Sequence, residues 1–133
     1  MKNKADFEKL FSLAEGARAN AHAPYSHFHV GVALMTTDGE YFSGCNVENA
    51  AYPSSVCAEV NAVTSMVATG NREIAEVLVI GGSLSDLCSP CGNCRQVIAE
   101  FATPNTIVHI CHPEGLAKSV PFAELLPLAF GSR

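Results

Sequence analysis

Two periods run through the apolar positions of this chain. Phe7, Leu10, Phe11, Ala14 and Ala17 recur at three- and four-residue spacing, which predicts a helix over residues 6–20 with one apolar side. Residues 28–35 and 40–46 are instead short runs of β-formers and apolar residues. Thr37-Asp38-Gly39 between them has turn chemistry, so the pair is predicted to form a hairpin. A polar stretch over 47–56 precedes a second helix over 57–69, with Ser54 or Ser55 as its expected cap and Gly70 as its stop. A buried strand is expected at 76–80, ended by Gly81-Gly82, and a loop at 83–90. A third helix is expected at 91–101, with Val97, Ile98 and Phe101 inward. Strands at 106–111 and 118–120 and a helical turn at 122–125 follow. Helices interleaved with strands in one small chain predict a mixed sheet covered by helices on both faces.

The 133 residues fall within the usual size of one domain, so residues 1–133 are read as a single unit. With 48% hydrophobic and 16% charged residues the chain is not of the disordered class. A net charge of −5 argues against nucleic acid or anionic membrane as partner, since there is no cationic excess to displace counterions. No apolar run approaches the ~20 residues of a membrane span. Met1-Lys2-Asn3-Lys4-Ala5-Asp6 lacks the apolar core of a secretory signal, so a cytoplasmic location is expected.

In a reducing compartment, the six cysteines are better read as metal-binding or catalytic than as disulfides. Pro90-Cys91-Gly92-Asn93-Cys94 sets two thiols three residues apart at the expected start of a helix, where unpaired N–H groups favour thiolate. Cys57 opens the preceding helix in the same way. Glu59 lies two residues further on, ~200° round the helix, and so is free to serve a molecule on the ion rather than the ion itself. Three thiolates leave a tetrahedral ion one open position, the mark of a catalytic site. A fourth ligand, for which Cys88 is the candidate, would close it into a structural one. Cys45 and Cys111 are read as core filling. His27 and His29 are expected to point away from any pocket that Phe28 faces, and His109 to be a satisfied core or interface group.

Five segments in order resemble the small three-cysteine, zinc-dependent cytidine deaminases. They are residues 23–31 (Ala-Pro-Tyr-Ser-His-Phe-His-Val-Gly), 44–52 (Gly-Cys-Asn-Val-Glu-Asn-Ala-Ala-Tyr), 57–59 (Cys-Ala-Glu), 90–96 (Pro-Cys-Gly-Asn-Cys-Arg-Gln) and 124–127 (Glu-Leu-Leu-Pro). The resemblance implies a three-layer α/β/α domain with a five-stranded mixed sheet. It implies one Zn2+ per subunit, held by Cys57, Cys91 and Cys94, with Glu59 relaying protons and the backbone at Ala58 holding the base. Phe28 would pack beside the base, and Asn46 with Glu48 would bind the ribose 3′-hydroxyl. Ala50, Tyr52 and Phe130 would complete a neighbouring subunit's pocket in a homotetramer with shared active sites. The implied reaction is hydrolytic deamination of cytidine or deoxycytidine to its uridine counterpart plus ammonia, in pyrimidine salvage.

The chain departs from that pattern at Val60, where many family members have an Arg that neutralises the thiolates. Arg95 is a substitute candidate. The departure leaves room for slower turnover of cytidine or for a modified cytosine nucleoside or nucleoside antibiotic as substrate, as in a blasticidin-S-deaminase-like enzyme. A non-catalytic structural zinc module is the remaining alternative.

Overall fold

The computed structural model describes residues 3–83 and 85–131. Met1 and Lys2 of the N-terminal run, and Leu84 of the expected 83–90 loop, lie outside the described residues. Helix α1 (Lys4–Ala19) starts two residues earlier than the expected 6–20. The reason is Asn3, whose side chain accepts from the N–H groups of Ala5 (2.8 Å) and Asp6 (3.2 Å) and caps the helix.

Strands β1 (Gly31–Thr36) and β2 (Tyr41–Cys45) form the expected antiparallel hairpin, turning at Gly39 with φ +85°. Residues 28–30 were expected in the first strand and lie outside it. The N–H groups of Phe28 and Val30 go to side chains instead of a ladder: Phe28 N–H donates to Ser26 Oγ (2.9 Å) and Val30 N–H to Asn46 Oδ1 (2.9 Å).

A 3₁₀ turn (Tyr52–Ser54) leads into α2 (Ala58–Ala68). The expected Ser54 or Ser55 cap is not formed. Cys57 holds the N-cap position without a side-chain bond, and Ser55 Oγ accepts from Asn49 N–H (3.0 Å) instead. Strand β3 (Ile74–Ile80) follows. The expected 83–90 loop contains a small hairpin, β4 (Gly82–Ser83) with β5 (Asp86–Leu87). Helix α3 (Gly92–Ala99), β6 (Ala102–His112), β7 (Gly115–Pro121) and a 3₁₀ turn (Phe122–Glu124) complete the described chain.

The sheet order is β2-β1-β3-β6-β7, with β3 and β6 parallel and the other neighbours antiparallel. This is the expected five-stranded mixed sheet. Side chains alternate across it as the two-residue period of a strand demands. Ala33, Leu78, Ile80 and Cys111 pack with Leu10 and Ala14 of α1. Val32, Leu34, Val77, Val79, Val108 and Ile110 pack on the other face with Ala62 and Met66 of α2 and Ile98 of α3. The two cysteine-capped helices therefore share one face, as expected. Cys45, read from sequence as core filling, is only partly buried at the end of β2.

Two devices fix α2 on β2. Gly44 has no side chain, and a Cβ there would lie 2.6 Å from Ala62 N and 2.7 Å from Ala58 O. Asn61 Nδ2 donates to Cys45 O (2.8 Å). Gly44→Ala must push the helix and its cysteine off the sheet, with an expected loss of about 1–3 kcal/mol. Gly16 lies inside α1 with nothing within 4 Å of an added Cβ. Gly16→Ala is expected to be neutral or to stabilise by about 0.5–1 kcal/mol. Urea denaturation of the two variants checks the contrast.

Candidate active site and metal centre

The N-termini of α2 and α3 meet at one end of the molecule. Cys57 is the N-cap of α2 and Cys91 the N-cap of α3, while Cys94 sits in the first turn of α3 and is buried. The three Sγ atoms lie within 4.8 Å of one another, and Cys91 Sγ is 3.4 Å from Cys94 Sγ. Sulfurs on a tetrahedral ion at the usual ~2.3 Å Zn–S bond stand about 3.8 Å apart, so the donor set fits zinc in both element and spacing.

The electrostatics agree. Glu59, in the first turn of α2, is 5% exposed, and burial raises its pKa above the usual carboxylate range. Burial likewise raises Cys57 and Cys94, and the neighbouring Glu59 charge adds to both shifts. Cys91 moves the other way. Burial opposes ionisation there, but the N–H groups of Cys94 and Asn93 and the adjacent thiols bring it below the usual thiol value. Four groups that ionise to the same sign are thus crowded together, and a divalent cation is what relieves them.

Cys88, the candidate for a fourth ligand, does not stand with the three sulfurs. It falls outside the sulfur cluster among the described residues, and its thiol is pushed up to about 11, first by burial. It packs on Gly81, where a Cβ would meet Cys88 Sγ at 3.1 Å. Arg95 does not serve the sulfurs either. Its guanidinium donates to Pro90 O (2.8 Å), Leu125 O (2.9 Å) and Ser89 Oγ (3.3 Å), so it clamps the ligand loop to the C-terminal segment.

A cavity of about 210 Å³ opens beside the sulfurs, lined by Phe28, Asn46, Ala58 and Glu59 together with all three cluster cysteines. Val30, Cys88 and Ser89 also line it, and sequence reasoning gave them no role in a pocket. Val30 was legible, because on an extended segment it faces the same way as Phe28.

Comparison with known proteins decides the family. The family described as the cytidine and deoxycytidylate deaminase zinc-binding region matches residues 4–110. The chain belongs to the cytidine deaminase family. A cytidine deaminase of Sporosarcina psychrophila is 42% identical over 125 residues, covering 94% of this chain and 91% of the relative. One of Mycobacterium tuberculosis (strain H37Rv) is 38% identical over 127 residues, covering 95% and 90%. The crystal structure of cytidine deaminase from Burkholderia pseudomallei aligns with a TM-score of 0.86 at 42% identity, covering 92% of this chain and 98% of that one.

Against the cytidine deaminase pattern, the remaining expected residues divide. Asn46 reaches the cavity and also staples the loop before β1, with Oδ1 accepting from Val30 N–H and Nδ2 donating to Phe28 O (2.8 Å). Glu48 does not line the cavity. Its Oε1 accepts from the N–H groups of Tyr25 and Ser26 (both 3.1 Å) and its Oε2 from the Ser26 hydroxyl, and that hydroxyl bond is the main reason its pKa is lowered. Together Asn46 and Glu48 set the path of residues 25–30 and so the position of Phe28. Ala50, Tyr52 and Phe130 stay outside their own chain's cavity. Tyr52 is 76% exposed and Phe130 89%. Val60 is half-buried on α2. His27 and His29 are off the strand where they were expected, and neither lines the cavity.

Single Cys→Ser variants separate ligand from wall. Serine at 57, 91 or 94 is expected to drop bound zinc well below one ion per chain, while Cys88→Ser keeps one. Elemental analysis of the dialysed proteins reads the difference.

Proposed function

We propose that the protein is a zinc-dependent hydrolase that converts cytidine or deoxycytidine and water to the uridine counterpart and ammonia. The observation that carries this reading is the buried Glu59 beside three clustered thiols, with a cavity opening on both. When bound, zinc supplies a Lewis acid with one open position, which can lower the pKa of a water from ~15.7 to ~7.

The chain's own residues do the rest. Glu59 takes a first proton from the attacking water and gives it to ring N3, then takes the second proton from the oxygen now on C4 and gives it to the departing amine, which leaves poorly until protonated. A carboxyl raised by burial suits both directions of transfer. Phe28 offers an aromatic wall to the base, and the backbone at Ala58 lies on the same cavity. For the ribose 3′-hydroxyl, Asn46, on the cavity, retains one N–H without a partner among the described residues, and Glu48, outside the cavity that one chain encloses, retains one of about four lone-pair sites. This pairing supports an ordinary sugar over an antibiotic that lacks one. A cysteine set used for metal binding rather than for disulfides fits a reducing, cytoplasmic setting, and we place the reaction in pyrimidine salvage.

Glu59→Gln keeps the shape and is expected to lower the rate of absorbance loss from cytidine by at least about 10²–10⁴-fold, with zinc content unchanged. Equal rates in wild type and variant would remove the reading.

A homotetramer with shared sites completes the pocket. One chain encloses about 210 Å³, less than the ~300–1,000 Å³ usual for a small-molecule site. Tyr25, Phe28, Tyr52 and Phe130 expose aromatic surface that a neighbouring chain would cover. Glu59→Gln and Phe130→Ala chains, each weak alone, are expected to regain activity when co-assembled, because one class of mixed site is intact. A monomer in sedimentation, or no regain on mixing, would contradict the shared site.

A further inference from the structure

Two cavities of about 570 and 510 Å³ lie on the α1 side of the sheet, away from α2 and α3, and each exceeds the one beside the sulfurs. Both are lined by Glu76, Asn105 and Ile107. The second is also lined by His109 and Ser119. The deamination chemistry above uses none of these groups.

Glu76 (β3), His109 (β6) and Ser119 (β7) stand on three adjacent strands. Leu78 pairs with His109, and His109 pairs with Ser119, so the three side chains share one face. His109 is fully buried, and its ring meets Phe7 of α1 edge-on at 5.4 Å. Its Nε2 is 2.7 Å from Glu76 Oε1, and its Nδ1 is 2.7 Å from Ser119 Oγ. A carboxylate only accepts, so the hydrogen bonding assigns the ring proton to Nε2. Nδ1 then accepts from the Ser119 hydroxyl, and Ser119 itself is exposed.

Hydroxyl, imidazole and buried carboxylate in that order form the relay that activates a nucleophilic serine. The two ring nitrogens are exchanged relative to the serine-protease triad, with Nδ1 toward Ser119 and Nε2 toward Glu76, while the roles of base and orienting carboxylate are the same. Donors for a developing oxyanion are at hand. The Asn105 carboxamide lines the same cavity and makes no hydrogen bond among the described residues. β7 is also an edge strand, so alternate N–H groups along Lys118, Ser119 and Val120 have no sheet partner among the described residues.

We propose that Ser119 is a second nucleophile, independent of the zinc centre, that hydrolyses small uncharged esters. Pro104, Ile107 and Pro121 give the cavity apolar walls for the acyl group, and no Lys or Arg lines it to hold an anion. Ser119 Oγ bonds to the ester carbonyl carbon while its proton passes to His109 Nδ1, and Glu76 steadies the imidazolium. Collapse breaks the ester C–O bond, and the alcohol leaves with the proton from Nδ1. Water then repeats the sequence on the acyl-serine and releases the acid. One ester and one water give one acid and one alcohol.

The test treats the zinc-loaded protein with a fluorophosphonate, which bonds to an activated serine oxygen with loss of fluoride, and follows p-nitrophenyl butyrate hydrolysis in parallel. The expected result is a single phosphonyl adduct mapped to Ser119 and ester turnover lost in Ser119→Ala, with cytidine deamination unchanged in that variant. In Glu76→Gln the amide can donate to Nε2 and displace the ring proton, so labelling is expected to slow at least about 100-fold. Glu59→Gln labels like wild type. Absence of an adduct at Ser119, or equal ester turnover in wild type and Ser119→Ala, overturns the proposal. Because Ser119 is on the surface, that comparison stands even if Glu76→Gln fails to fold.

Discussion

Three thiols and a carboxyl that all ionise to negative charge are packed where two helices begin. Among the described residues no lysine or arginine side chain is bonded to the sulfurs, and Arg95, the nearest by sequence, is spent on Pro90, Leu125 and Ser89. The positive ends of α2 and α3 offset part of the charge, but only part, because a helix terminus amounts to about half an elementary charge. A divalent cation supplies the remainder. Much of the fold serves to hold this crowded point: Gly44 and Asn61 seat α2 on β2, and the β3–α3–β6 crossover brings Cys91 and Cys94 to the same end of the sheet as Cys57.

The parts of this arrangement that were legible in the sequence are those governed by short-range rules. Short apolar runs at 76–80 and 106–111 gave the central strands, and the Cys-x-x-Cys spacing with Glu59 two residues after Cys57 gave the cluster. What escaped was governed by side chains reaching across the chain. Residues 28–30 have the composition of a strand, yet Ser26 and Asn46 capture the N–H groups of Phe28 and Val30 and bend the segment into a loop. Ser54 and Ser55 have cap chemistry, yet Asn49 engages Ser55 and leaves the cap to Cys57. Arg95 sits next to a ligand in sequence but points at carbonyl oxygens. Cys88 has the spacing of a ligand but is turned onto Gly81.

The resemblance to cytidine deaminases reached further than periodicity, because it concerned which side chains meet rather than which elements form. Even so, it said nothing of the opposite face. There, His109 reads in sequence as one polar interruption of an apolar strand, and its partners lie 33 residues upstream and 10 downstream. Only strand order and register bring the three together.

The central claim is that the three sulfurs hold one zinc ion and leave it one position open. X-ray absorption at the zinc edge of the purified protein tests it most directly. The account predicts three sulfur neighbours at ~2.3 Å and one oxygen neighbour at about 2.0–2.2 Å. A shell of four sulfurs, with Cys88 drawn in, or a shell without sulfur would contradict it.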